Sequence, residues 1–157
     1  MTRRVKLIIV LAVVAAAFAR LQTQPQADIK SNNARVRLLS DSDPPRVLVR
    51  ACANCHSNVT RWPWYSHIVP FSWWLAKHVH EGREKLDFAR WESYSLPQKL
   101  DKLESICGVT LMGRMPPPFY AVMHPEARLS GSDKNGVCAW VEKQIAAEGA
   151  HSALDGK

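Results

Sequence analysis

The chain has no block of five or six like charges, no internal repeat and no run of alternating apolar and polar residues. The first absence removes the polybasic tails that grip nucleic acid, and the last leaves β-strands without a signature. Ser/His/Asp sets, phosphate-binding glycine loops and paired carboxylates are also missing, so no separate enzyme site suggests itself. The longest apolar run, Leu7 to Phe18, falls short of the roughly 20 residues that span a bilayer comfortably. An apolar fraction of 46% is ordinary for a globular chain and too low for a multi-span membrane protein. At 157 residues the chain has room for one domain plus extras.

What is present begins with that short run. Arg3, Arg4 and Lys6 precede it, and Ala17-Phe18-Ala19 ends it with a small-x-small cleavage pattern, which predicts a secretory signal peptide over residues 1–19. Val5 and Leu21 would lengthen the run, so an uncleaved anchor over 1–21 is the alternative. Loss of 1–19 removes three basic residues and lowers the formal charge from +7 to +4, with 18 basic against 14 acidic residues left. Residues 20–43 are polar and aperiodic and are expected to form a flexible linker. The folded domain is expected over 44–150.

Within it the expectations are all helical. Asp43-Pro44-Pro45 reads as a helix start, with Asp43 as N-cap, carrying Val47, Leu48 and Ala51. Residues 57–71, broken by Pro63 and Pro70, read as ordered loop. Ser72 is expected to cap a helix that runs to Glu81 and stops at Gly82. Ser95-Leu96-Pro97-Gln98 is a capping box, followed by Leu96, Leu100, Leu103 and Cys107 on one face until the helix fades between Gly108 and Gly113. Pro116-Pro117-Pro118 and the residues up to Leu129 read as loop. Ser130 to Asp133 caps a last helix with Val137, Val141, Ile145 and Glu148 on one side, closed by Gly149.

Four cysteines are present. Export places them in an oxidising compartment, and the leftover pair, Cys107 and Cys138, is expected to form a disulfide between the last two helices. The other two lie in Cys52-Ala53-Asn54-Cys55-His56. CxxCH is the attachment signature of c-type haem. Two thiols separated by two residues face one edge of a macrocycle and can each add to a vinyl group, and the adjacent imidazole reaches the iron. A thioredoxin-like dithiol would require a βαβ pattern that is absent. A zinc site recruiting Cys107 and Cys138 would lack the second closely spaced pair.

The residues after His56 carry a resemblance. Ser57-Asn58-Val59-Thr60, Trp62-Pro63-Trp64-Tyr65-Ser66, Ile68-Val69-Pro70, Ser72-Trp73-Trp74 and His78-Val79-His80-Glu81-Gly82-Arg83 recur in that order, followed by Phe88, Trp91, Met115-Pro116-Pro117, Tyr120 and His124. Over about residues 44–145 the chain resembles the bacterial haem-binding domain family of single-haem proteins. His67 stands where a small polar residue is more usual, and Asp87 where Asn is more usual. The resemblance implies haem binding and leaves the physiological role open.

For the sixth iron ligand the sequence offers Met115. Pro116 favours extended backbone at Met115, Gly113 permits a close approach of the chain to the ring, and Met/His ligation raises the potential. Met112, His67, His78, His80 and His124 are the rival ligands. Met115 as a mere core filler is the plain alternative. Trp62, Trp64, Tyr65 and Trp73, with Trp74, are expected to wall a haem pocket; stacking of nucleic-acid bases would need a basic groove. Arg83 and Arg114 are candidate propionate partners.

The expected molecule is an all-α, cytochrome c-like small domain with long ordered loops around one haem c held by Cys52, Cys55, His56 and Met115. Its expected role is periplasmic one-electron transfer to acidic redox partners, with no nucleic acid and with membrane contact only if 1–21 is retained. A haem sensor or small peroxidase with an open distal site, and a membrane-anchored haem subunit of a redox complex, are the alternatives.

Overall fold

The computed structural model describes residues 3–21 and 45–155, and every regular element among them is helical. In chain order these are α1 (Arg3–Leu21), α2 (Arg46–Ala51), α3 (Ala53–His56), α4 (Phe71–Lys85), α5 (Leu96–Leu111), α6 (Pro118–Met123) and α7 (Gly131–Asp155), with 3₁₀ turns at Trp64–His67, Phe88–Ser93 and Pro125–Ala127. The all-α expectation holds. No helix among the described residues is long and apolar enough to cross a membrane. The expected linker falls largely outside the described residues, as does Asp43; Pro45 stands at the N-cap of α2.

The chain divides into two compact units. One contains α1 and Trp62–His80; the other contains the described residues up to Arg61 and those from Glu81 onward. In the first unit Tyr65 meets the rings of Trp64 and Phe71 edge-on, and Trp74 packs on His78. Trp64 is 73% exposed.

The second unit is built on the pair α5 and α7. Lys99 near the start of α5 bonds Glu148 near the end of α7, and Lys134 at the start of α7 reaches the Leu111 carbonyl at the end of α5, so the two helices run antiparallel. Leu103 and Ile106 of α5 bury against Val137, Trp140 and Val141 of α7, and Val47, Leu48, Ala53, Phe88 and Trp91 complete that core. The periodicity read from the sequence marks the inner face of α7, and that of α5 at Leu103 and Cys107, while Ile106 takes the core place expected of Leu96 and Leu100. Two local caps behave as expected. Gln98 accepts the Ser95 N–H at 2.9 Å, and Ser130 and Asp133 exchange reciprocal bonds at 3.1 and 2.9 Å.

Cys107 and Cys138 form a disulfide that staples α5 to α7 across 31 residues. Chain-entropy reasoning for a loop of that length gives about 3–4 kcal/mol. Replacing both cysteines by Ala is expected to lower unfolding free energy by that order in a denaturant titration. A change under about 1 kcal/mol would contradict that account and point to residual contact between the two segments in the denatured chain.

Four features differ from expectation. Helix α4 starts at Phe71, leaving Ser72 as a fully buried residue inside it, and it runs through Gly82 to Lys85. Helix α7 passes Gly149 and continues to Asp155. The supposed loop after the proline run contains α6, which opens with Pro118 in its first turn, where a missing N–H costs nothing.

Candidate haem site

The attachment motif is a tight helical turn. Helix α2 ends at Ala51, Cys52 is at once its C-cap and the N-cap of α3, and the His56 N–H donates to the Cys52 carbonyl at 3.1 Å. Both cysteines are therefore presented from one turn, with His56 immediately after them. Neither is in a disulfide. Cys52 sits where two apolar clusters meet, one containing Leu48 and Phe88, the other Ala51, Tyr120 and Ala127.

Burial pushes the Cys52 thiol up to about 12, with the neighbouring Cys55 adding to the rise, and it pushes Cys55 up to about 11. A thioredoxin-like dithiol works by the opposite shift, a stabilised thiolate. The zinc alternative also fails, because Cys107 and Cys138 are bonded to each other and no metal-holding group of three His, Cys, Asp or Glu occurs among the described residues.

His56 has its Nδ1 2.9 Å from the Leu86 carbonyl. A carbonyl oxygen only accepts, so Nδ1 carries the proton and Nε2 keeps a lone pair for a metal. Burial lowers the imidazole's proton affinity, partly offset by the Leu86 and Gly82 carbonyls and by Asp87. The ring is thus held neutral, the form that binds iron. Phe88 meets it edge-on, at 6.3 Å between ring centroids.

Gly82 explains why α4 does not stop there. A Cβ built on it would stand 3.2 Å from the Cys55 carbonyl oxygen, 3.5 Å from Cys55 Cβ and 3.5 Å from His56 Cε1. The glycine serves a close approach of helix to attachment turn, in ordinary helical backbone. Gly82→Val is accordingly expected to lower the yield of haem-loaded protein several-fold, despite a helix propensity gain of a few tenths of a kcal/mol. Equal yield, measured as haem absorbance per polypeptide, would show that the turn can retreat.

Asp87, standing where Asn is more usual, accepts the Ala89 N–H on Oδ1 at 2.9 Å and caps the following 3₁₀ turn. Asn would cap the turn in the same way with its own carbonyl oxygen, but without the negative charge that Asp87 places beside His56 and Arg83.

The strap toward Met115 also has a definite start. Gly113, at φ +66°, closes α5: its N–H donates to the Thr110 carbonyl at 3.1 Å, and the Arg114 N–H to the Val109 carbonyl at 2.9 Å. This is a Schellman end, so the glycine's freedom is used to stop the helix. Met115 follows, half-buried, joined to Pro116 by a cis peptide bond, whereas Met112 is exposed.

The remaining expected site residues divide between the units. Trp62, Trp64, Tyr65, Trp73, His67, His78 and His80 belong to the first. His78 Nδ1 bonds the Trp74 carbonyl at 2.8 Å. In the second unit, His124 stacks on Tyr120 and pairs with Glu126 at 2.7 Å, Arg114 is exposed, and Arg83 Nη2 donates to Thr60 Oγ1 at 2.8 Å. Sequence reasoning gives no role to Leu86, Thr60, Tyr120 or Asn54, all of which contact the attachment turn or its neighbours. Thr60 and Tyr120 stand in the motifs that carry the resemblance; Leu86 acts through its backbone and leaves no trace in side-chain identity.

A small helical unit that presents two free cysteines and a neutral, oriented imidazole from one turn defines a haem-binding protein. The chain belongs to the haem-binding domain family, whose sequence model matches residues 10–143. Neither a curated protein nor a solved structure matches it.

Proposed function

We propose that this haem-binding protein is a monohaem c-type cytochrome, exported to the periplasm, that carries single electrons. The observation supporting it most is the His56 ring, whose Nδ1 is committed to the Leu86 carbonyl while Nε2 is left for iron, beside two protonated cysteines in the same turn. That donor set fits haem c: Cys52 and Cys55 would hold the macrocycle by thioether bonds, and His56 would ligate its iron.

Bound haem supplies reversible one-electron chemistry at iron. The chain's own residues orient and insulate it. Leu86 fixes the imidazole, Phe88 meets it edge-on, and apolar clusters pack against Cys52. Met115 would supply the second iron ligand in this reading, its partial burial favouring it over the exposed Met112. The basic start of α1 and its apolar body support export, and the positive excess suits acidic redox partners.

The test is the spectrum and redox behaviour of full-length protein matured with haem. A low-spin ferric form, a reversible one-electron titration and a ferrous form inert to carbon monoxide are expected. A high-spin iron that binds carbon monoxide readily would overturn the carrier in favour of a sensor or peroxidase.

A further inference from the structure

Asn54, between the two cysteines, is held from three directions. Its carbonyl accepts from Thr60 Oγ1 at 2.8 Å, its Oδ1 accepts the Arg61 N–H at 3.2 Å, and its Nδ2 donates to the Tyr120 hydroxyl at 3.0 Å. The Thr60 hydroxyl has one proton, and a carbonyl can only accept, so that proton goes to Asn54. The hydroxyl's lone pairs then face a pure donor, Arg83 Nη2, at 2.8 Å. The relay Arg83 to Thr60 to Asn54 therefore has a fixed direction and a charged group at its head, which strengthens both bonds.

Arg83 lies in the last turns of α4, between two other residues that touch the attachment turn. Gly82 packs against the Cys55 carbonyl and the His56 ring, and the Leu86 carbonyl holds His56 Nδ1. The Leu86 N–H in turn donates to the Gly82 carbonyl at 2.9 Å, so all three contacts belong to one stretch of backbone. We propose that Thr60 and Arg83 form a latch that holds the end of α4 against the CxxCH turn and so sets the position of the proximal imidazole. In this role Arg83 is a positioning residue acting through Thr60, instead of a partner for a haem propionate. The proposal deepens the cytochrome reading and rests on it for its functional consequence. It also gives a physical reason for the joint presence of Ser-Asn-x-Thr and Glu-Gly-Arg in this chain: the threonine and the arginine are two halves of one bond, and the glycine makes the approach that lets it form.

The experiment uses full-length, haem-loaded protein and compares Thr60→Val, Thr60→Ser, Arg83→Met and the Thr60→Val/Arg83→Met double variant by amide hydrogen exchange. Loss of a hydrogen bond to a charged group is expected to speed exchange across residues 52–57 by roughly ten- to a hundred-fold. Amides of α5 and α7 should keep their protection. Thr60→Ser should stay within about twofold of the parent, and the double variant should be no faster than either single one, because both remove the same relay. Should Thr60→Val fail to accumulate, Arg83→Met supplies the same comparison. Exchange that rises equally in α5 and α7 would reduce the pair to general stabilisers and overturn the latch. So would a silent Thr60→Val beside an Arg83→Met that alone changes the pH dependence of the midpoint potential, the mark of a propionate partner. Extraction of the same samples with acidified solvent separates the two claims: haem lost there refutes covalent attachment, whereas unchanged exchange at 52–57 refutes the latch.

Discussion

Cys52→Ala/Cys55→Ala protein is expected to surrender all its haem to acidified organic solvent, while the parent keeps all of it. The loss should be complete because no other free cysteine is available to the ring: Cys107 and Cys138 are bonded to each other on α5 and α7. Alanine is the right probe at Cys52. The sulfur there sits between two apolar clusters, and a serine hydroxyl left unpaired among them would cost about 1–3 kcal/mol and confuse a folding defect with lost attachment. His56 keeps its bond to Leu86 in the double variant, so weak, dissociable haem binding should survive even as retention disappears. Retention undiminished in the double variant would refute thioether attachment at these positions.

The second large effect is expected from Met115→Ala. If the thioether of Met115 completes the iron's coordination, removing it should abolish the methionine-to-iron charge-transfer band, turn the ferric protein high-spin and open the iron to carbon monoxide or cyanide. The midpoint potential should fall, because Met/His ligation is what raises it. Met112→Ala is the internal control, since that side chain is exposed at the C-cap of α5. An unchanged spectrum in Met115→Ala would remove this residue from the iron. His124, already oriented by Glu126, would then be the first ligand to replace.

How much of the fold is legible in the sequence depends on whether the signal is local. The Ser95 and Ser130 helix starts, the inner face of α7 and the Cys107–Cys138 pair are stated by neighbouring residues or by compartment, and each stands as expected. Gly82 misleads because its cause is distant. A glycine after a helical pattern ordinarily marks a left-handed cap, as Gly113 does at the end of α5. At Gly82 the cause is instead a backbone 27 residues earlier, where a Cβ would stand tightly, 3.2 Å from the Cys55 carbonyl oxygen. Helix α6 is hidden by its prolines, which read as loop even though Pro118 suits a first turn.

The site divides in the same way. Cys52, Cys55 and His56 carry their chemistry in adjacent side chains. The carbonyl that orients His56 belongs to Leu86, 30 residues on, and any residue would offer the same oxygen. Arg83 reads as an anion-binding side chain because guanidinium usually is one. Its partner, Thr60, lies 23 residues away and becomes visible only when α4 folds back to the attachment turn.

The most direct test of the central claim is the mass of the intact polypeptide after denaturation, taken from protein matured with c-type haem machinery. One covalently bound haem per chain is expected to add its mass to the parent and to Met115→Ala alike, and to be absent from Cys52→Ala/Cys55→Ala. A parent chain that weighs only its amino acids would contradict the account.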